Sequence, residues 1–182
     1  MEHPGEVWQE FDFNGERLGG LEPEKCYDTD FKMLGGVAIM FYRFNNGKVE
    51  FLFQHRSKNL RANPDMWDVS AGGHINLNEP KLDTAVRETR EEIGVEIDKS
   101  KLEYAATMIR EIMNYSLYFY DWTGKEDNFS FDDAEVQAVK WISEDEIDEF
   151  WSGLKKPIRE DRYYRMLIDE QIEKIKSKYG NN

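Results

Sequence analysis

Between Gly73 and Val95 the chain reads GHINLNEPKLDTAVRETREEIGV, and this segment carries a helical period. Leu82, Ala85, Val86, Thr89 and Ile93 recur at i, i+3, i+4, i+7 and i+11, a mostly apolar stripe. Pro80 suits a first helical position, with Asn78 or Glu79 as the cap before it. Gly94 is a natural stop, because glycine accepts a left-handed backbone. The stripe is expected to face a core while Glu88, Glu91 and Glu92, spaced i, i+3 and i+4, project elsewhere from roughly one face.

Like charges so spaced repel one another, and a concentrated anionic face suits hard divalent cations, which take oxygen ligands. Arg87 lies four residues before Glu91 and is placed to orient it. In a chain with 37 acidic residues a bare glutamate pair describes a solvated surface. The Gly72-Gly73 turn, Glu79, Arg87-Glu88 and Gly94 around it set this pair apart.

Gly73, Glu79, Arg87, Glu88, Glu91, Glu92, Gly94 and Val95 stand at the positions of the signature of the Nudix hydrolase superfamily, which the segment resembles; Thr89 departs from it at a usually aliphatic position. The resemblance implies a Nudix fold, an α/β (α+β) domain with a mixed β-sheet sandwiched between helices. It also implies hydrolysis of a phosphoanhydride bond, in a nucleoside diphosphate derivative or related small metabolite, with Mg²⁺ or Mn²⁺. Carried over by position, Glu91 and Glu92 are the principal metal ligands, and Glu88 is a further ligand or the carboxylate that activates water. The Gly72 carbonyl is an additional ligand, and Arg87 and Glu79 orient the others. A later carboxylate is expected just ahead of an aromatic residue. Glu135 before Trp141 matches best, with Asp132 and Asp133 as rivals.

The stretch MWDVSAGGHI and the N-terminal hairpin look most like the branch related to isopentenyl-diphosphate isomerase. Those isomerases carry a cysteine where this chain has Gly72 and use several histidines, whereas only His3, His55 and His74 occur here. They also degrade the carboxylate box that this chain keeps, so hydrolysis is the favoured reading. A non-catalytic nucleotide-binding sensor is a third. Candidate substrate contacts are Arg56 and Arg61, clustered with Lys58 ahead of the motif, together with His74 and Trp67.

The net charge of −13 argues against broad nucleic-acid binding, which draws on basic surface to neutralise phosphates. No apolar run approaches the roughly 18 residues that suggest a membrane span, and no secretory signal is visible. The single Cys26 cannot form an internal disulfide, which fits a reducing cytoplasm. The expected partner is a small diphosphate, without nucleic acid or membrane, and a homodimer is left open.

The 182 residues are expected to form one domain. Residues 7–18 read as a hairpin turning at Asn14-Gly15, and 19–33 as an irregular connection completing an N-terminal hairpin and loop over 1–33. Residues 37–44 and 49–55 read as strands around Asn45-Asn46-Gly47. Residues 67–71 form a short strand into the motif, 102–112 and 116–122 a further pair, and 135–142 a last strand. Ser143 and Glu146 resemble a helix-starting box for a helix to about Phe150. Tyr164, Leu167, Ile168, Ile172 and Ile175 define a C-terminal helix over 160–180 whose apolar face packs on the domain.

Overall fold

The computed structural model describes residues 5–12, 14–25, 33–110, 113–131, 134–154 and 162–180. His3, Cys26, Asp132 and Asp133 lie outside the described residues. The elements run β1 (Trp8–Phe11), β2 (Arg17–Leu21), β3 (Met33–Asn45), β4 (Lys48–Arg56), β5 (Trp67–Asp68), β6 (Ala71–His74), α1 (Lys81–Ile93), β7 (Glu103–Arg110), β8 (Met113–Asp121), β9 (Val136–Ser143), α2 (Ile147–Gly153) and α3 (Arg162–Tyr179). Short 3-10 turns stand at Pro23–Lys25 and Lys99–Lys101.

All nine strands belong to one mixed sheet organised on β3. One edge of β3 carries β8 in parallel from Leu34 to Tyr42, and the other carries β1, β6 and β4 antiparallel in turn. The β3–β4 hairpin therefore pairs only near its turn, where Asn46 and Gly47 take left-handed backbone. Beyond Tyr42 and Phe51 the two strands part, with β6 on β3 and β5 on β4. Ser70, fully buried between β5 and β6, bridges the fork: its hydroxyl accepts from Phe41 N–H at 2.7 Å and donates to the Leu52 carbonyl at 2.6 Å. Two backbone groups that lose their ladder partners are thereby satisfied.

Alternation along the strands separates two cores. Val37, Ile39, Phe41, Leu52, Ala71 and Ile75 pack against Ala85 and Ile93 of α1. Met40, Tyr42, Phe51 and Phe53 pack on the opposite face against α2 and α3. Helices thus cover both faces of the sheet, as the resemblance implied. The apolar face of α3, with Leu167, Ile168, Ile172 and Ile175 buried, docks on the domain. Each such side chain contributes about 1.5–3 kcal/mol of burial.

The structure corrects several expectations. Residues 19–33 are not wholly irregular, because β2 continues to Leu21 and pairs with Trp8 of β1. The strand expected over 67–71 is two short strands, interrupted where Ser70 spans the fork. β9 begins at Val136, which leaves Glu135 just before it. Pro80 is the cap of α1 rather than its first residue, and neither Asn78 nor Glu79 fills that place. The helix is also rotated from its expected face. Leu82 is exposed, while Thr84 and Glu92, outside the expected stripe, join Ala85, Thr89 and Ile93 in burial.

Candidate active site

α1 crosses the sheet above β3 and β6 and ends at Gly94, whose φ of 72° lies in the left-handed region and whose N–H returns to the Arg90 carbonyl. Its three motif carboxylates meet different surroundings. Glu92, expected to point away from the core, is 2 % exposed. Its Oε2 accepts from the Gly72 N–H at 2.7 Å and from Gln54 Nε2 at 3.1 Å. Glu88 lies over Gly73, where a Cβ would meet its carboxylate, so a larger residue there would push the Glu88 side chain from this position. Glu91 faces outward with its side chain 44 % exposed.

Arg87 ties the motif together. Its guanidinium donates to both oxygens of Glu79 at 2.9 and 3.0 Å, to Glu88 at 2.8 Å, to Glu91 at 3.0 Å and to the His74 carbonyl at 3.0 Å. Glu79 in turn accepts from Asn76 N–H at 3.1 Å, which fixes the loop leading into α1. Burial works against the charge on Glu79, but Arg87, the Asn76 N–H and the Thr84 hydroxyl together outweigh it and hold this carboxyl below the usual range.

The inner pair behaves oppositely. Burial pushes Glu88 up to about 8 despite Arg87, with Glu91 and Glu135 adding to the rise. Burial and the neighbouring Glu88 raise Glu92 well above the ordinary glutamate range, against the Gly72 N–H and Arg56. Two ionised carboxylates in this space repel each other with little water to screen them, so each favours its neutral form until a cation arrives. Among the described residues no three His, Cys, Asp or Glu side chains are gathered as a ready-made cation cage. Glu88 and Glu91 are turned to Arg87 instead.

The remaining sequence candidates divide between the two faces of the sheet. Arg56 shares the α1 face of β4 with Leu52 and Gln54. It is near enough to Glu92 to act on its charge, and its Nε is buried without a partner. The Glu135 carbonyl accepts from Ser57 N–H at 2.7 Å, and its carboxylate acts on both Glu88 and Glu92. Arg61 is exposed in the loop between β4 and β5. The His74 ring stacks on Trp8 of the hairpin, with centroids 3.6 Å apart and planes 5° apart. Trp67 goes to the other face, stacked on His55 and edge-on to Phe150 of α2, so the sheet separates it from the carboxylates.

Gln54 is a partner of Glu92 that motif spacing does not reveal. Its signal is a single amide in the apolar run Phe51-Leu52-Phe53 of β4, two residues before Arg56 and hence on the same face. It is 1 % exposed, and its Oε1 has no partner.

The NUDIX domain family matches residues 34–163. Nudix hydrolase 3 of Arabidopsis thaliana is 27% identical over 153 residues, covering 76% of this chain and 19% of that protein, so the chain spans about a fifth of this relative's length. CTP pyrophosphohydrolase of Escherichia coli is 30% identical over 115 residues, covering 63% of this chain and 79% of that protein. Among solved structures, a binary complex of the Ap4A hydrolase of C. elegans matches with a TM-score of 0.60 at 21% identity, over 80% of this chain and 99% of that one, a likeness of fold.

Proposed function

Because the chain belongs to the Nudix family, we propose that it is a divalent-metal-dependent hydrolase that cleaves a phosphoanhydride bond in a nucleoside diphosphate derivative or a related small metabolite. The observation that carries this reading is the buried Glu92 carboxylate, pinned to the Gly72 N–H beside Glu88. A protein gains no stability from two buried acids in one space unless something cationic joins them. The CTP and Ap4A specificities in the names of two relatives agree with a nucleotide substrate.

The donor set fits Mg²⁺ or Mn²⁺, since it is all oxygen and the carboxylates resist ionisation without a counter-charge. Glu88, Glu91, Glu92 and Glu135 with the Gly72 carbonyl would hold the ion. When bound, it supplies neutralisation of phosphate oxygens and acidification of water. Arg87 keeps Glu88 and Glu91 in place, and Gln54 orients Glu92. Arg56 offers the phosphates a cation on the same face of β4. Glu88, held by Arg87 beside Glu92, would serve as a further ligand or as the carboxylate that takes a proton from water.

An isomerase of the prenyl-diphosphate type is disfavoured by one local feature. A Cβ on residue 72 would stand 2.5 Å from the Val37 carbonyl oxygen, so a cysteine there requires the backbone to shift. Phosphate release from a panel of nucleotides, nucleotide sugars and dinucleoside polyphosphates with Mg²⁺ or Mn²⁺, run beside Glu92→Gln, tests the hydrolase. Turnover that falls by about a hundredfold or more in the variant is expected. Ligand binding with no turnover in the parent would leave a sensor in its place.

A further inference from the structure

Lys81 opens α1, and among the described residues its ammonium meets no carboxylate. Nζ reaches the Ser116 hydroxyl of β8 at 2.9 Å and stands 5.6 Å from the centre of the Phe11 ring. Arg17, from β2, stands 5.7 Å from the centre of the same ring. Its N–H groups go to neutral acceptors, the Gln9 side-chain oxygen at 3.0 Å and the Glu79 carbonyl at 2.7 Å. Burial and the Arg17 charge both hold the Lys81 ammonium below the ordinary lysine range. In a chain of net charge −13, Arg43, Arg87, Arg165, Lys48, Lys176 and Lys178 all meet carboxylates. Two cations brought together without one cost free energy that an anion would recover.

Two independent features point to the same place. Asn114 is 6 % exposed, and its buried side-chain oxygen has no partner among the described residues. It precedes Ser116 by two residues on β8, so both side chains leave the sheet on the α1 face. Turned about its last bond, the amide offers N–H donors in place of the oxygen. In addition, no side chain caps the start of α1, whose positive dipole end is there.

We propose that Lys81, Arg17, Ser116 and Asn114 form a binding site for a phosphoryl group, either inorganic phosphate or the phosphate end of a small metabolite. Guanidinium and ammonium groups suit such an oxyanion, and the hydroxyl and amide complete its hydrogen bonds. The site is separate from the motif carboxylates. Lys81 reaches toward β8 on one edge of β3, whereas Glu92 reaches toward β6 and β4 on the other. Along the helix axis the two residues are about 16 Å apart.

The test is calorimetric titration of the full chain with sodium phosphate at constant ionic strength, in EDTA so that no divalent ion recruits phosphate to the carboxylates. The parent is expected to bind. Lys81→Met is expected to weaken binding by about tenfold or more, the worth of one charged hydrogen bond. Lys81→Arg should retain most of it, Arg17→Gln from a different element should weaken it too, and Lys101→Met, at an exposed lysine outside both sites, should leave it unchanged. Thermal melts without phosphate check folding, and there Lys81→Met should be no less stable than the parent. Absence of phosphate heat in the parent overturns the site. Undiminished binding by Lys81→Met, or loss in Lys101→Met instead, overturns it equally.

Discussion

Replacing Glu88 with glutamine tests the electrostatics of the inner carboxylates, because glutamine keeps the shape of the neutral acid and removes its titration. Burial lifts the Glu88 carboxyl from 4.5 to about 8. A group whose folded value is raised stabilises the fold below its unfolded value, and that contribution is lost as pH rises through the folded one. The metal-free parent should therefore lose stability between about pH 5 and 8, and Glu88→Gln should lose less. A rise of this size is worth about 5 kcal/mol in full. Glu88 shares its space with Glu92, and the site relaxes and admits water on ionisation, so about 2 kcal/mol is expected at pH 8. That corresponds to a melting temperature about 4–8 °C higher for the variant in EDTA. Arg87 keeps Glu79 and Glu91, so the loop into α1 stays anchored. Added Mg²⁺ or Mn²⁺ should reverse the order, since only the parent retains the full ligand set. The assay is thermal unfolding of both proteins from pH 5 to 8, with and without metal. Parallel pH curves in EDTA would refute the argument that burial of this carboxylate dominates the site.

Two further outcomes rest on other parts of the fold. Ser70→Ala removes the hydroxyl that serves Phe41 N–H and the Leu52 carbonyl. With both groups stranded in the core, a loss of about 2–4 kcal/mol is expected in urea unfolding, and a loss under about 0.5 kcal/mol would show that the fork is satisfied without it. Asp121 accepts from Lys178 Nζ at 2.8 Å and from the Tyr179 hydroxyl at 2.5 Å. Although burial opposes the charge, these partners and Thr123 lower its carboxyl from 3.8 to about 2. Its contribution is present above pH about 4 and lost as pH falls through about 2. Partial exposure reduces that contribution to about 1 kcal/mol, so the stability gap between the parent and Asp121→Asn should close between pH 5 and 2. A gap that stays constant would count against the anchoring of α3 to β8 by this carboxylate.

Local pattern was enough for the elements that repeat or turn within a few residues. The Asn14-Gly15 and Asn46-Gly47 turns, the helix ending at Gly94 and the apolar face of α3 were legible because each depends on neighbours close in sequence. The motif likewise identified Arg87, Glu88, Glu91 and Glu92 as one group, since helical spacing alone places them together. Spacing does not say what lies against a helix. Tertiary structure decided that Glu92 is buried while Glu91 is exposed, because β4 and β6 bring Gln54 and the Gly72 N–H to one side of α1 only. It also sent Trp67 to the opposite face from Arg56, through strand parity that depends on where β4 ends. The parallel pairing of β3 with β8 joins residues 79 positions apart, from Leu34 to Met113, and no local signal encodes such a partner. The meeting of Arg17 with Lys81 has the same origin. Each is unexceptional in its own segment, and their shared environment exists only once the hairpin has docked beside α1 and β8.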